Sequence, residues 1–144
     1  MTFNELFFPV IGAAVLAQVL KCVIHFMNHE EVNLSLLVFE PGGMPSTHAA
    51  VVTALTTTLY LANADTAIFA VALIFSLIVM ADAIGVRREA GETAHRINQM
   101  LKVMGTMKRK GVTGVREVLG HTPLQVIAGV VLGMLVALFF FSYF

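Results

Sequence analysis

Four apolar segments, at residues 6–27, 46–62, 67–84 and 123–141, take up more than half of this 144-residue chain. A helix needs about 20 predominantly apolar residues to cross the roughly 30 Å hydrocarbon core of a bilayer. The first and last segments meet that length comfortably and the third marginally. The second is short and rich in threonine (Thr53, Thr56, Thr57, Thr58), which points to the inside of a bundle. Composition agrees, with 58% hydrophobic and 12% charged residues, where a soluble domain has about 45–50% and about 25%. The expectation is one all-α integral membrane bundle over residues 1–144, with about four transmembrane helices and an amphipathic interfacial helix. No basic n-region or clear cleavage site marks the first segment, so it reads as a span rather than a signal peptide. Cys22 is the single cysteine, which excludes an intrachain disulfide.

Local signals place the ends of these helices. Asn63-Ala64-Asp65-Thr66 reads as a compact hairpin in which Asp65 caps the third helix. Thr122-Pro123 gives the fourth a capped start with proline at its first position. Gly129 and Gly133 are spaced for close helix packing. Between spans one and two, Leu34 to Phe39 form an apolar island too short to cross, suited to a re-entrant or interfacial segment. The polar stretch 87–121 contains Ala90, Ala94, Ile97, Leu101 and Met104 at helical spacing, with His95, Asn98 and charged residues on other faces. This is the pattern of an amphipathic surface helix, on which His95 and Asn98 read as ordinary surface residues.

Charge placement sets the expected topology. Eight of the nine lysines and arginines fall between Arg87 and Arg116, and the ninth is Lys21. The positive-inside rule puts that loop, residues 87–121, in the cytoplasm. The start of helix two, the end of helix three and the start of helix four then meet at one membrane face. His48, Asp82, Arg87, Arg88 and His121 are therefore brought to the same side, with Lys21 approaching it.

The residues before helix two carry the strongest chemical signal. Gly42-Gly43-Met44-Pro45-Ser46-Thr47-His48 puts turn residues, a hydroxyl pair and a histidine at the start of an apolar helix. Free amides at such a helix start attract anions, and a histidine in the first turn can donate a proton to what they hold. An intramembrane carboxylate such as Asp82 is costly enough to suggest function, although an ion pair with Arg87 or Arg88 is the structural alternative. Lys21 has a comparable alternative, in which it snorkels to the headgroups.

This heptapeptide, the block Val79-Met80-Ala81-Asp82-Ala83-Ile84-Gly85-Val86-Arg87-Arg88-Glu89-Ala90-Gly91, and the block Leu119-Gly120-His121-Thr122-Pro123-Leu124-Gln125 occur in this order along the chain. In these blocks the chain resembles the divergent branch of the type 2 phosphatidic acid phosphatase family, which is related to acid phosphatases and vanadium-dependent haloperoxidases. The resemblance covers nearly the whole chain. It implies that His48 is the general acid and His121 the nucleophile that attacks phosphorus. Ser46, with Gly43, Thr47 and nearby amides, corresponds to the phosphate cradle. Lys21, Arg87, Arg88 and Arg116 correspond to the cations that neutralise phosphate oxygens.

Several positions depart from the wider superfamily. Thr47 replaces a motif glycine, Asn28-His29 stands where an Arg-Pro pair is expected, and Arg116 is one residue closer to His121 than its counterpart. Gln125 occupies the place of the aspartate that orients the nucleophile, which leaves Asp82 or Glu117 to take that role. The expected activity is hydrolysis of a lipid or isoprenoid phosphate monoester at the cytoplasmic face of the bacterial inner membrane. The alternative is a non-catalytic protein that binds or translocates anionic lipids, for which the basic loop is suited. Expected partners are membrane lipids and the lipid phosphate, with no nucleic acid, no cofactor and no metal. A homodimer would enclose the polar residues better than four short spans.

Overall fold

A computed structural model of the chain describes residues 2–27, 43–103, 114, 115, 117 and 120–143. Five helices form among them: α1 (Phe3–Met27), α2 (Thr47–Leu61), α3 (Thr66–Ile84), α4 (Val86–Val103) and α5 (Pro123–Phe141). The expected caps are in place. Asp65 accepts from Ala67 N at 2.9 Å to start α3. Thr122 caps α5 in a reciprocal box with Gln125, with Pro123 in the first turn. Between α2 and α3 the chain reverses through Asn63, whose φ of 49° lies in the left-handed region that asparagine tolerates.

α2 is the centre of the bundle and packs against α5, α1 and α3. Its contact with α5 is close because Gly129 and Gly133 present no side chains there. A Cβ on either would strike the α2 backbone, at Ser46 O and Ala50 O respectively. Ala13, Ala17, Ala50, Ala54 and Val136 continue this small-residue core across α1, α2 and α5. On the other side, α2 meets α3 through hydroxyls. Thr56 Oγ1 and Ser76 Oγ are 2.7 Å apart, and Ser76 also donates to Val52 O at 3.1 Å. Such groups have no water to bond with in a bilayer, so interhelical partners hold the pair together.

Among the described residues, three helices are long and apolar enough to cross a membrane: α1, the α3 stretch and α5. α2 has 15 residues, about 22 Å at 1.5 Å per residue, short of the roughly 30 Å core. It is held inside the bundle, which agrees with its threonine content. In contrast, α3 exposes Ile68, Val71, Ile74, Phe75 and Ile78, the surface expected against lipid.

The long polar stretch begins with α4, which follows α3 directly at Gly85. Its buried face is Gly91, Ala94 and Asn98, whereas Ile97 and Met100 are exposed. The expected apolar face of α4 is therefore split: Ala94 is covered and Ile97 is open. Met104, the 28–41 segment and Arg116 lie outside the described residues.

Candidate functional site

The ends of α1 and α3 and the starts of α2 and α5 converge at one end of the bundle, and a few backbone bonds fix their register. Ser46 N donates to Gln125 O at 2.9 Å, joining the start of α2 to the first turn of α5. His121 N donates to Ala83 O at 3.1 Å, joining the residue before α5 to the last turn of α3. Gly120 makes that approach possible, since a Cβ there would stand 2.6 Å from Arg88 Cα and 2.8 Å from the Arg87 carbonyl carbon.

These bonds draw His121 into the protein, where it is 4% exposed. Its Nδ1 lies 3.3 Å from Gln125 Oε1. The same Oε1 accepts from Thr122 N at 3.0 Å, so the capping box identifies this atom as the oxygen of the amide. An amide oxygen only accepts, so the imidazole carries its proton on Nδ1 and leaves the Nε2 lone pair free. Burial holds His121 below the usual histidine range, and Lys21, His48 and Arg87 act in the same direction. The Gln125 hydrogen bond opposes them. The result is a neutral imidazole with a defined tautomer near pH 7.

Lys21 is 5% exposed, so it does not snorkel to the headgroups. Its stem packs beside Gly43, whose φ of 79° requires a residue without a side chain. A Cβ at Gly43 would stand 3.2 Å from Lys21 Cγ. Among the described residues no carboxylate forms an ion pair with Lys21. Its charge reaches both His48 and His121. His48 is exposed and lies within the fields of Arg87, Lys21 and Asp82, which places it at the mouth of this polar end.

The other expected site residues have defined partners. Ser46 is fully buried, and its Oγ accepts from Ala49 N at 3.4 Å as the N-cap of α2. Thr47 donates to Gln18 Oε1 at 3.1 Å, which ties α2 to α1. Arg87 Nε and Asp82 Oδ2 are 2.7 Å apart, so the Asp82 carboxylate belongs to the ion pair raised above as its structural alternative. Arg88 pairs with Glu92 at 3.2 Å. Neither Asp82 nor Glu117 is the hydrogen-bond partner of His121. Arg116 lies outside the described residues.

Glu117 takes part in a second polar cluster that the sequence did not reveal. Its Oε2 lies 2.8 Å from His95 Nδ1, and its Oε1 accepts from Asn98 Nδ2 at 2.8 Å. These two hydrogen bonds, Asn98 first, hold the Glu117 carboxyl below the usual carboxylate range. Asn98 also bonds the backbone of Val115 on both sides, accepting from its N at 2.8 Å and donating to its O at 2.7 Å. The available signal was the spacing of Gly91, Ala94 and Asn98, which puts two small residues and an amide on one face of α4. Among the described residues no three His, Cys, Asp or Glu side chains converge as metal ligands would. A cavity of about 320 Å³ lies at the opposite end of the bundle, where Glu5, Thr58, Asn63 and Phe141 line it.

Residues 2–136 match the model of a family described as the divergent PAP2 family. A relative from Bacillus subtilis (strain 168), the uncharacterized membrane protein YuiD, is 39% identical over 143 residues, covering 89% of this chain and 88% of its own length. No solved structure matches.

Proposed function

The chain belongs to the divergent PAP2 family, and from that premise we propose that it is a membrane-embedded phosphatase acting on a lipid or isoprenoid phosphate monoester. The observation that carries this reading is Lys21, a buried ammonium without a carboxylate partner among the described residues, within the field of two histidines. A buried cation is costly unless a counter-charge is supplied, and a phosphate headgroup entering from the interface supplies it. The substrate's tail remains in the bilayer.

In this mechanism His121 Nε2 attacks phosphorus and the bond from phosphorus to the alcohol oxygen breaks. His48 gives its proton to the departing oxygen. Lys21 and Arg87 stabilise the charge on the transferring group. Water, deprotonated by His48, then breaks the N–P bond and releases phosphate. Gln125 holds the imidazole in the nucleophilic tautomer without supplying a negative charge. Asp82 acts through Arg87, which it aims by their ion pair.

The test is phosphate release from a panel of lipid phosphates by purified protein, alongside His121→Ala. Wild-type turnover with none in the variant supports the reading, and equal rates in both contradict it. The missing carboxylate at position 125 favours a second reading, anionic-lipid binding without turnover. That reading predicts no hydrolysis by any variant and weaker lipid binding after Lys21→Met or Arg87→Gln. The proposed side is cytoplasmic. A Lys102→Cys variant in a Cys22→Ser background should then react with impermeant thiol reagents only when the cytoplasmic face is open. Labelling from outside intact cells would reverse the topology.

A further inference from the structure

Asn98 is distant in sequence from every residue of the proposed mechanism, yet it is 8% exposed and both ends of its amide are engaged. Its oxygen accepts from Val115 N at 2.8 Å, and its nitrogen donates to Val115 O at 2.7 Å and to Glu117 Oε1 at 2.8 Å. A side-chain amide bonded to both the N–H and the C=O of one residue replaces the strand that this backbone lacks. Gly91 and Ala94 are the other buried residues of α4. His95 holds the other Glu117 oxygen, and Gln99 Nε2 in turn lies 2.8 Å from His95 Nε2.

Two structural consequences link this cluster to the site. Glu117 is four residues before His121, so an extended chain between them reaches at most about 14 Å. Fixing Glu117 therefore limits where His121 can go. α4 also carries Arg87 and Arg88 in its first turn, and Gly120 packs on the backbone of both. Val115 and Glu117 are thus held by Asn98, Gly120 by the backbone of Arg87 and Arg88, and His121 by Ala83 O, all on α3 and α4.

We propose that Asn98, acting with Glu117, is a positioning residue for His121: it latches the segment that leads to the nucleophile onto the helix that carries Arg87, so that the nucleophile and the cation keep one register. The proposal rests on the phosphatase reading for its kinetic consequence but not for its structural one. Positioning matters because displacing a reacting group by about 1 Å can cost about 10²-fold in rate. Asn98 touches no reacting atom, and its loss is expected to act on kcat rather than on KM.

The experiment uses the full-length protein in nanodiscs with ¹⁵N-labelled histidine. Asn98→Ala should lower kcat by about 10²-fold while KM changes by less than about threefold. The His121 ring signals should also lose their single Nδ1-protonated tautomer, and their titration should move up towards that of an exposed histidine. Donor and acceptor inversion supplies the rescue. Asn98→Asp sets two carboxylates against each other and should be as damaging as alanine. In the double variant Asn98→Asp/Glu117→Gln, the glutamine amide donates to the new carboxylate, which still accepts from Val115 N although Val115 O loses its donor, and about tenfold of the lost kcat should return. If Asn98→Ala does not fold, the aspartate variant and its rescue carry the same comparison. Gln99→Ala, at the outer edge of the cluster, should leave kcat and the His121 signals unchanged. Unchanged His121 signals in Asn98→Ala, or a double variant no better than Asn98→Asp, would overturn the latch. If the wild-type protein hydrolyses nothing, the phosphatase reading fails, and the His121 spectra still decide whether the latch exists.

Discussion

His121 and His95 each present Nδ1 to a side-chain oxygen, but their surroundings differ in almost every other respect. His121 is 4% exposed, its partner is the neutral Gln125 at 3.3 Å, and the nearby charges are cations. The His95 side chain is 54% exposed, and its partner is the Glu117 carboxylate at 2.8 Å. By the usual sign of an oriented histidine, a short bond to a carboxylate, His95 would be the reactive one. Its Nε2 is already engaged by Gln99, however. The Nε2 of His121 is free and lies within the field of Lys21. An orienting partner is therefore not sufficient to mark a nucleophile: in the proposed mechanism, a free second nitrogen within the field of Lys21 separates His121 from His95.

The largest expected effect removes the proposed nucleophile. His121→Ala should reduce lipid-phosphate turnover to the uncatalysed background, because the proposed mechanism gives the phosphoryl bond to no other group. Circular dichroism should remain that of the wild type. His48→Ala comes next, with a loss of about 10²–10⁴-fold that is greatest for substrates with poor leaving groups. Plotting rate against leaving-group pKa for both proteins measures it. Substrates with good leaving groups losing as much as poor ones would assign His48 another role.

A smaller change gives His121 the kind of partner that His95 has. Gln125→Glu keeps the capping box and places a carboxylate at Nδ1, which should raise the His121 pKa by about one unit or more. Turnover requires the neutral imidazole. With the wild-type pKa below the usual histidine range, activity should persist as pH falls through about 6.5. The variant's acid limb should move to higher pH, with a higher rate on the plateau because the carboxylate stabilises the developing imidazolium. A pH–rate profile of the two proteins checks both statements. The smallest effect belongs to the scaffold histidine. His95→Ala should lower kcat by no more than about threefold, the scale of one exposed hydrogen bond, since Asn98 still holds Glu117.

The contrast also explains which parts of the molecule were legible in the sequence. Asp65 and Thr122-Pro123 announced the starts of α3 and α5, because capping depends on residues within one turn. Gly129 and Gly133 announced a close contact, although only the structure shows that its partner is the backbone of α2 at Ser46 and Ala50. The threonines of α2 foretold an interior helix, and in the structure α1, α3 and α5 pack around it. What stayed hidden depends on distant pairing. Asn98 meets Val115 across 17 positions, and a surface amide and a buried latch look alike in a single chain. Gln125 was legible as a departure from the superfamily. Its value as an orienter emerged only when Thr122 N and His121 Nδ1 were found on the same oxygen.

The central claim is that His121, and not the carboxylate-paired His95, forms a covalent bond to phosphorus. Rapid acid-free quenching of the protein with a ³²P-labelled lipid phosphate tests it directly, followed by peptide mapping of the acid-labile, base-stable label. The account predicts label on His121 in the wild-type protein and in His95→Ala, and none in His121→Ala. Label that persists in His121→Ala, or that maps to His95, would contradict it.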